Sequence, residues 1–184
     1  PIVHPGLADY PSPFLCAAAT TPKLAAMITQ RVGADLAPLD QDLALVALAT
    51  VCDVVPLRGE NRALVRAGLE QMRRTQRPGL IELMRVAGVD QLKIGAQSFG
   101  FALGPRINAA GRLASANTAI DLFAASSDEE AWQLSAELDR MNAERRTVEL
   151  RVREEAENQI AGHERVIVVA GEGWHRGVVG LTAG

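Results

Sequence analysis

The stretch GPRINAAGRL (Gly104–Leu113) sets two permanent positive charges, Arg106 and Arg112, and the amide of Asn108 among two glycines, a proline and two alanines. It follows an apolar run, FGFAL. Glycine permits close backbone approach and proline fixes φ, so the stretch reads as a constrained corner. Arg106 and Arg112 offer planar donor forks matched to phosphate oxygens, and Asn108 adds an amide. The residues alone leave two readings open. The corner holds a phosphate, or the arginines neutralise core carboxylates and helix-end carbonyls.

Outward from this stretch the chain is an ordinary globular one. Of its 184 residues 48% are hydrophobic and 22% charged, which excludes a disordered tail. Aromatics make up only 4%, so the core must rest on aliphatic side chains, which favours helices. The longest apolar run, LALVALATVC, is about half the length needed to cross a bilayer. A net charge of −3 argues against nonspecific coating of nucleic acid while leaving room for a local cationic groove. Cys16 and Cys52 lack metal-type spacing and sit among apolar neighbours, as free thiols in a reducing cytoplasm would. The chain opens on Pro1 and closes within GVVGLTAG, from which we expect an internal piece of a longer protein.

Periodicity predicts a series of helices. The proline-punctuated PIVHPGLADYPSPF reads as a strand end and an extended loop. Helices are expected over residues 15–32, with Pro22 at a start or kink, then through LDQDLALVALATV, buried on all sides, and ENRALVRAGLEQMRRT, amphipathic. Shorter ones are expected over 80–87 and 115–125. Ser127 and Glu130 form a capping-box pattern that opens an uninterrupted helical stretch to Gly162, about 50 Å long. That length suits either a connector between two domains or a helix lying along one. RVIVVAGEGWHRGVVG then reads as a buried strand entering a glycine-rich turn, the start of an α/β unit.

Three further groups could carry chemistry. Asp53 is the sole charge between Asp42 and Arg58. Buried and unpaired it would be costly, so it is either a helix-end cap bonded to backbone amides or a metal ligand. GEGWHRGVVG misses the dinucleotide fingerprint by one residue and lacks the lysine of a P-loop. Its Trp174 and His175 either meet a base or phosphate, or form a packing tryptophan and a surface histidine. On the long helix, arginines and glutamates alternate as on a solvated face, although helix geometry lets Asn142 and Arg145 or Arg146 share one side, facing an interdomain cleft.

Together IVHP, LATVCDVVPLRGENRALVRAGL, FALGPRINAAGRL, LDRMNAERRTVE and GEGWHRGVVG resemble, in order and spacing, the DHH phosphoesterase family, and within it the exonucleases specific for single-stranded DNA. The resemblance covers nearly the whole chain. It implies an α/β fold in which residues 1–126 are the C-terminal, mostly helical part of the DHH domain, 127–162 a long connector helix and 163–184 the start of the DHH-associated domain with its first strand. It implies hydrolysis of single-stranded DNA from a 5′ end, in repair and recombination, by a soluble cytoplasmic monomer. Manganese or magnesium would be the cofactor, and helicases or single-strand-binding proteins the further partners. By the same resemblance Asp53 is a metal ligand, and Arg106, Asn108, Arg112 and His175 bind substrate. The family's Asp-His-His motif is absent from this sequence, and CAAATTPKLAAM departs from the family's pattern. The piece alone is therefore expected to be inactive, and to self-associate through exposed apolar surface. Rival readings are a DHH phosphodiesterase acting on short oligoribonucleotides or cyclic dinucleotides, and a noncatalytic nucleic-acid-binding scaffold.

Overall fold

Apolar residues at helical spacing dominate the architecture. The computed structural model describes residues 2–7, 9–33, 42–113, 115–160, 162 and 166–183, and among these it forms nine α-helices and no strand. They are α1 (Ala17–Val32), α2 (Leu43–Cys52), α3 (Gly59–Met72), α4 (Pro78–Val86), α5 (Ala96–Ser98), α6 (Gly104–Leu113), α7 (Asn117–Ala124), α8 (Asp128–Glu157) and α9 (Arg176–Thr182). The mostly helical character expected of this part of an α/β fold is thus seen over the described residues, while the strand expected to follow it does not form among them.

Helix α2 is the centre. Its residues are apolar all round, and Ala44, Val46, Ala47, Leu48 and Thr50 are buried. One side meets α3 and the cluster built on Met72, Leu83, Phe99, Leu103 and Leu138. The other receives α1 through Leu15, Cys16 and Ala19, packed with Val46. Each fully buried large side chain of this kind stabilises the fold by about 1.5–3 kcal/mol. The side-chain oxygen of Gln71 on α3 accepts from the amide of Ala44 at 2.6 Å, satisfying one orphan donor at the start of α2.

Helix α8 runs for 30 residues, about 45 Å. Ser127 Oγ accepts from the Glu130 amide at 3.3 Å, while Glu130 reaches back to the amide of Ser126 at 3.2 Å, one residue before the expected partner. The first half of α8 packs on α4, α6 and α7, and its last turns pack on α9. Pro22 is the sixth residue of α1, and the helix continues through it.

Two expected strands do not form among the described residues. Near the N terminus a 3₁₀ turn, Pro5–Leu7, follows His4, whose Nδ1 accepts from the Gly6 amide. Toward the C terminus, residues 163–165 lie outside the described set, and Val166, Ile167 and Val168 are exposed with no neighbouring strand. Ala170 instead pairs its amide and carbonyl with the side-chain amide of Gln159 on the end of α8.

An ion pair ties α1 to α3. Lys23 donates to Glu60, and Tyr10 Oη donates to the same carboxylate at 2.9 Å. Burial alone would raise the Glu60 pKa, but the bonds from Lys23 and Tyr10 outweigh it and hold the carboxyl below its usual 4.5. Burial would lower that of Lys23, and Glu60 and Tyr10 reverse this, holding it above 10.5. The depressed acid contributes stability above pH 4.5 that is lost as pH falls through its folded value. The raised base contributes below pH 10.5 and is lost as pH rises through its folded value. Both groups are partly exposed, so the effect is about 1 kcal/mol or less. Urea titrations should show a plateau between these limits. Glu60→Gln should lower stability on the plateau, by an amount that shrinks as pH falls through the folded value of Glu60.

Candidate active site

GPRINAAGRL is a helix, and this changes what its residues can share. At 100° per residue Asn108 and Arg112, four apart, lie on one face, whereas Arg106 lies about 120° from Arg112. Arg106 turns toward α8. Its Nε donates to Asp139 at 2.8 Å, and its terminal nitrogens donate to the carbonyls of Ala102 at 2.8 Å and Val86 at 3.2 Å. The side chain is 15% exposed. Its donors join α6 to α8 and to the end of α4, away from the face that Asn108 and Arg112 share.

Of the two glycines, only the first makes a close approach. A Cβ on Gly104 would lie 2.4 Å from Cys52 Sγ, so α6 abuts the end of α2 only because residue 104 has none. Nothing lies within 4 Å of a Cβ on Gly111. A π-helical turn, Phe99–Leu103, leads into α6, with the Gly104 amide bonded to the Phe99 carbonyl. Such turns insert one residue into a helix and are frequent at functional sites.

The same contact fixes Asp53. It caps α2, with its amide on the Ala49 carbonyl at 2.9 Å. Its side chain is exposed rather than buried, so the cost argued from its apolar neighbours does not arise. Among the described residues its carboxylate has no hydrogen-bond donor and no cation pairs with it. Burial pushes the neighbouring Cys52 thiol up to about 11, helped by the Asp53 charge. Val54 follows at φ 55°, a left-handed conformation that is costly for a β-branched residue and turns the chain sharply after Asp53. Cys52 and Val54, on either side of Asp53, line a cavity of about 380 Å³ with Gln97, Phe101, Pro105 and Asn108.

Arg112 and His175 meet through one residue. Arg112 Nη1 donates to the Gly177 carbonyl at 3.0 Å, and the Gly177 amide donates to His175 Nδ1 at 3.2 Å, which caps α9. A Cβ on Gly177 would lie 2.5 Å from the Arg112 carbonyl oxygen. Trp174 Nε1 donates to Glu155 on α8, so it is neither free nor simply a packing residue. Asn142 and Arg145 do share one side of α8, bonded to each other at 3.2 Å, and Arg145 pairs with Glu149.

The structure thus places Asp53 beside the cavity that Asn108 lines, Arg112 one turn further along that face, and His175 beyond it across Gly177. Sequence reasoning missed Gly177, Gln97 and Phe101. A phenylalanine three residues before Gly-Pro was the one available signal for the last. Among the described residues no three of His, Cys, Asp and Glu stand close enough to share an ion. A lone exposed carboxylate fits one ligand position of a divalent metal and no more.

Comparison with known proteins finds similarity to proteins named single-stranded-DNA-specific exonuclease RecJ. No protein-family model matches the sequence. The chain is similar to RecJ, the exonuclease of that name from Bacillus subtilis, at 40% identity over 147 residues, 78% of this chain and 19% of the relative. It matches the crystal structures of Thermus thermophilus RecJ in complex with Mn2+ and with Mg2+, at TM-scores of 0.87 and 0.88 and 33% identity. Those matches cover 98% of this chain and 27% and 28% of theirs. The resemblance read from the sequence is borne out over nearly its whole length, and the chain spans about a fifth of the curated relative.

Alanine at Gly177 should force α9 away from α6 at a cost of about 1–3 kcal/mol. Thermal unfolding should show a lowered midpoint, and Trp174 fluorescence a changed environment.

Proposed function

We propose that this chain works as part of a metal-dependent exonuclease that hydrolyses single-stranded DNA from its 5′ end. Residues 1–126 are read as the C-terminal part of a DHH domain, 127–162 as the connector and 163–184 as the start of the associated domain. The uncommitted Asp53 carboxylate, held beside the cavity of Asn108 by the Gly104–Cys52 contact, carries this reading. The RecJ structures similar to this chain were solved with manganese and magnesium, and Asp53 is the side chain here that would hold such an ion. Bound divalent ions supply an activated water and neutralise a scissile phosphate. Arg112 and Asn108 would hold the terminal phosphate through charge-assisted and amide bonds, fixing how far the strand advances. His175, with Nδ1 occupied by the Gly177 amide, has Nε2 left to meet the strand from α9. Repair, recombination and a cytoplasmic location belong to the same proposal.

In the full-length protein carrying this chain, Asp53→Asn should lower Mn2+-dependent release of nucleotides from labelled single-stranded DNA by at least about 100-fold. Arg112→Ala should weaken use of 5′-phosphorylated ends by about 10- to 100-fold. Equal turnover of a dinucleotide and a long single strand would favour the oligoribonucleotide phosphodiesterase instead. The 184-residue chain alone should release no nucleotides.

A further inference from the structure

Arg62 and Arg66 on helix α3 and Arg58, the residue that precedes it, follow at intervals of four residues, beginning five residues beyond Asp53. All three are exposed, and none has an ionic partner among the described residues. The helix has two acidic residues, and both are committed elsewhere: Glu60 to Lys23 and Tyr10, and Glu70 to Arg73. Two physical features make the row unfavourable in the free protein. Like charges four apart on a helix repel. Arg58 and Arg62 also stand at the N-terminal end, where the helix dipole disfavours cations. A solvated surface usually intersperses its signs, as α8 does with Arg140–Glu144 and Arg151–Glu155. A chain of net charge −3 has no general excess of cations from which such a row would arise.

We propose that Arg58, Arg62 and Arg66 form a ridge that tracks the sugar-phosphate backbone of a single-stranded nucleic acid. Four residues of helix separate the backbone positions of Arg62 and Arg66 by about 6 Å along the axis, close to the separation of neighbouring phosphates on an extended strand, with Arg58 before the first turn. Their planar forks suit phosphate oxygens, and no base-reading group lies among them, so the ridge binds without regard to sequence. The identity of the polyanion rests on the exonuclease reading. The ridge would extend that site by several nucleotides, so that long strands are expected to bind better than dinucleotides.

The test is anisotropy of a fluorescent oligothymidylate with the 184-residue chain over a range of salt concentrations. Glutamine substitutions, which keep helix propensity, are made singly and together at the three positions, with folding checked by circular dichroism. The slope of log K against log salt should shrink by about 0.7 for each arginine removed and about 2 for the triple variant. Arg151→Gln, on the mixed-sign face of α8, should leave it unchanged. An unchanged slope in a folded triple variant, or no binding by the parent chain at low salt, overturns the ridge. Displacement by polyglutamate as effective as by unlabelled oligothymidylate assigns an acidic polypeptide and overturns it too. Bound DNA with an unchanged slope leaves the exonuclease reading standing. That reading fails separately, if the full-length protein binds the strand without cleaving it.

Discussion

A hydrogen atom in place of a methyl group at residue 104 lets α6 lie against the sulfur of Cys52, and the functional geometry follows from that contact. Cys52 ends α2, the most apolar helix of the chain, so its place is set by burial on every side. Seating α6 there brings Asn108 to the same cavity as the residues flanking Asp53. The π-turn before α6 shifts the phase of the helix, so that Leu103 stays buried while Phe101 faces outward. A larger residue at 104 would push α6 outward, and cavity and face would part together.

The arginines of α6 show how helix phase assigns roles. One turn and a fraction separates Arg106 from Arg112, enough to send one into the protein and the other toward α9. Arg106, mostly buried, has its charge balanced by Asp139 and its remaining donors met by two carbonyls, as a buried cation requires. Arg112 spends one donor on the Gly177 carbonyl and keeps the rest of its fork.

Much of this was legible in the sequence. The apolar spacing of α3, the uniform apolarity of α2 and the Ser127 cap predicted helices that formed within a few residues. GPRINAAGRL was misread because its glycines and proline look like turn punctuation. The alternation of Ala109, Ala110 and Leu113 with Asn108 and Arg112 was the helical signal beneath them. Arg106 could not be assigned locally, since Asp139 lies 33 residues away in the chain. Asp53 was taken as buried because its neighbours are apolar, but the last residue of a buried helix can still emerge at the surface. The β-branched run after Gly162 formed no strand among the described residues because a strand is completed by its neighbours, which local sequence does not supply. Gly177 was visible only as one of four glycines, its role depending on a helix 65 positions earlier.

Three helices close on one another at the end of the chain: α6 rests on α8, α8 on α9, and α9 on α6. Trp174 bonded to Glu155 forms one corner of this triangle, and Arg112 bonded to Gly177 forms another. A triangle, unlike a row of three bars, has no hinge. Any tilt of the C-terminal segment must therefore strain both corners at once, so the guanidinium and the imidazole move as a single jaw.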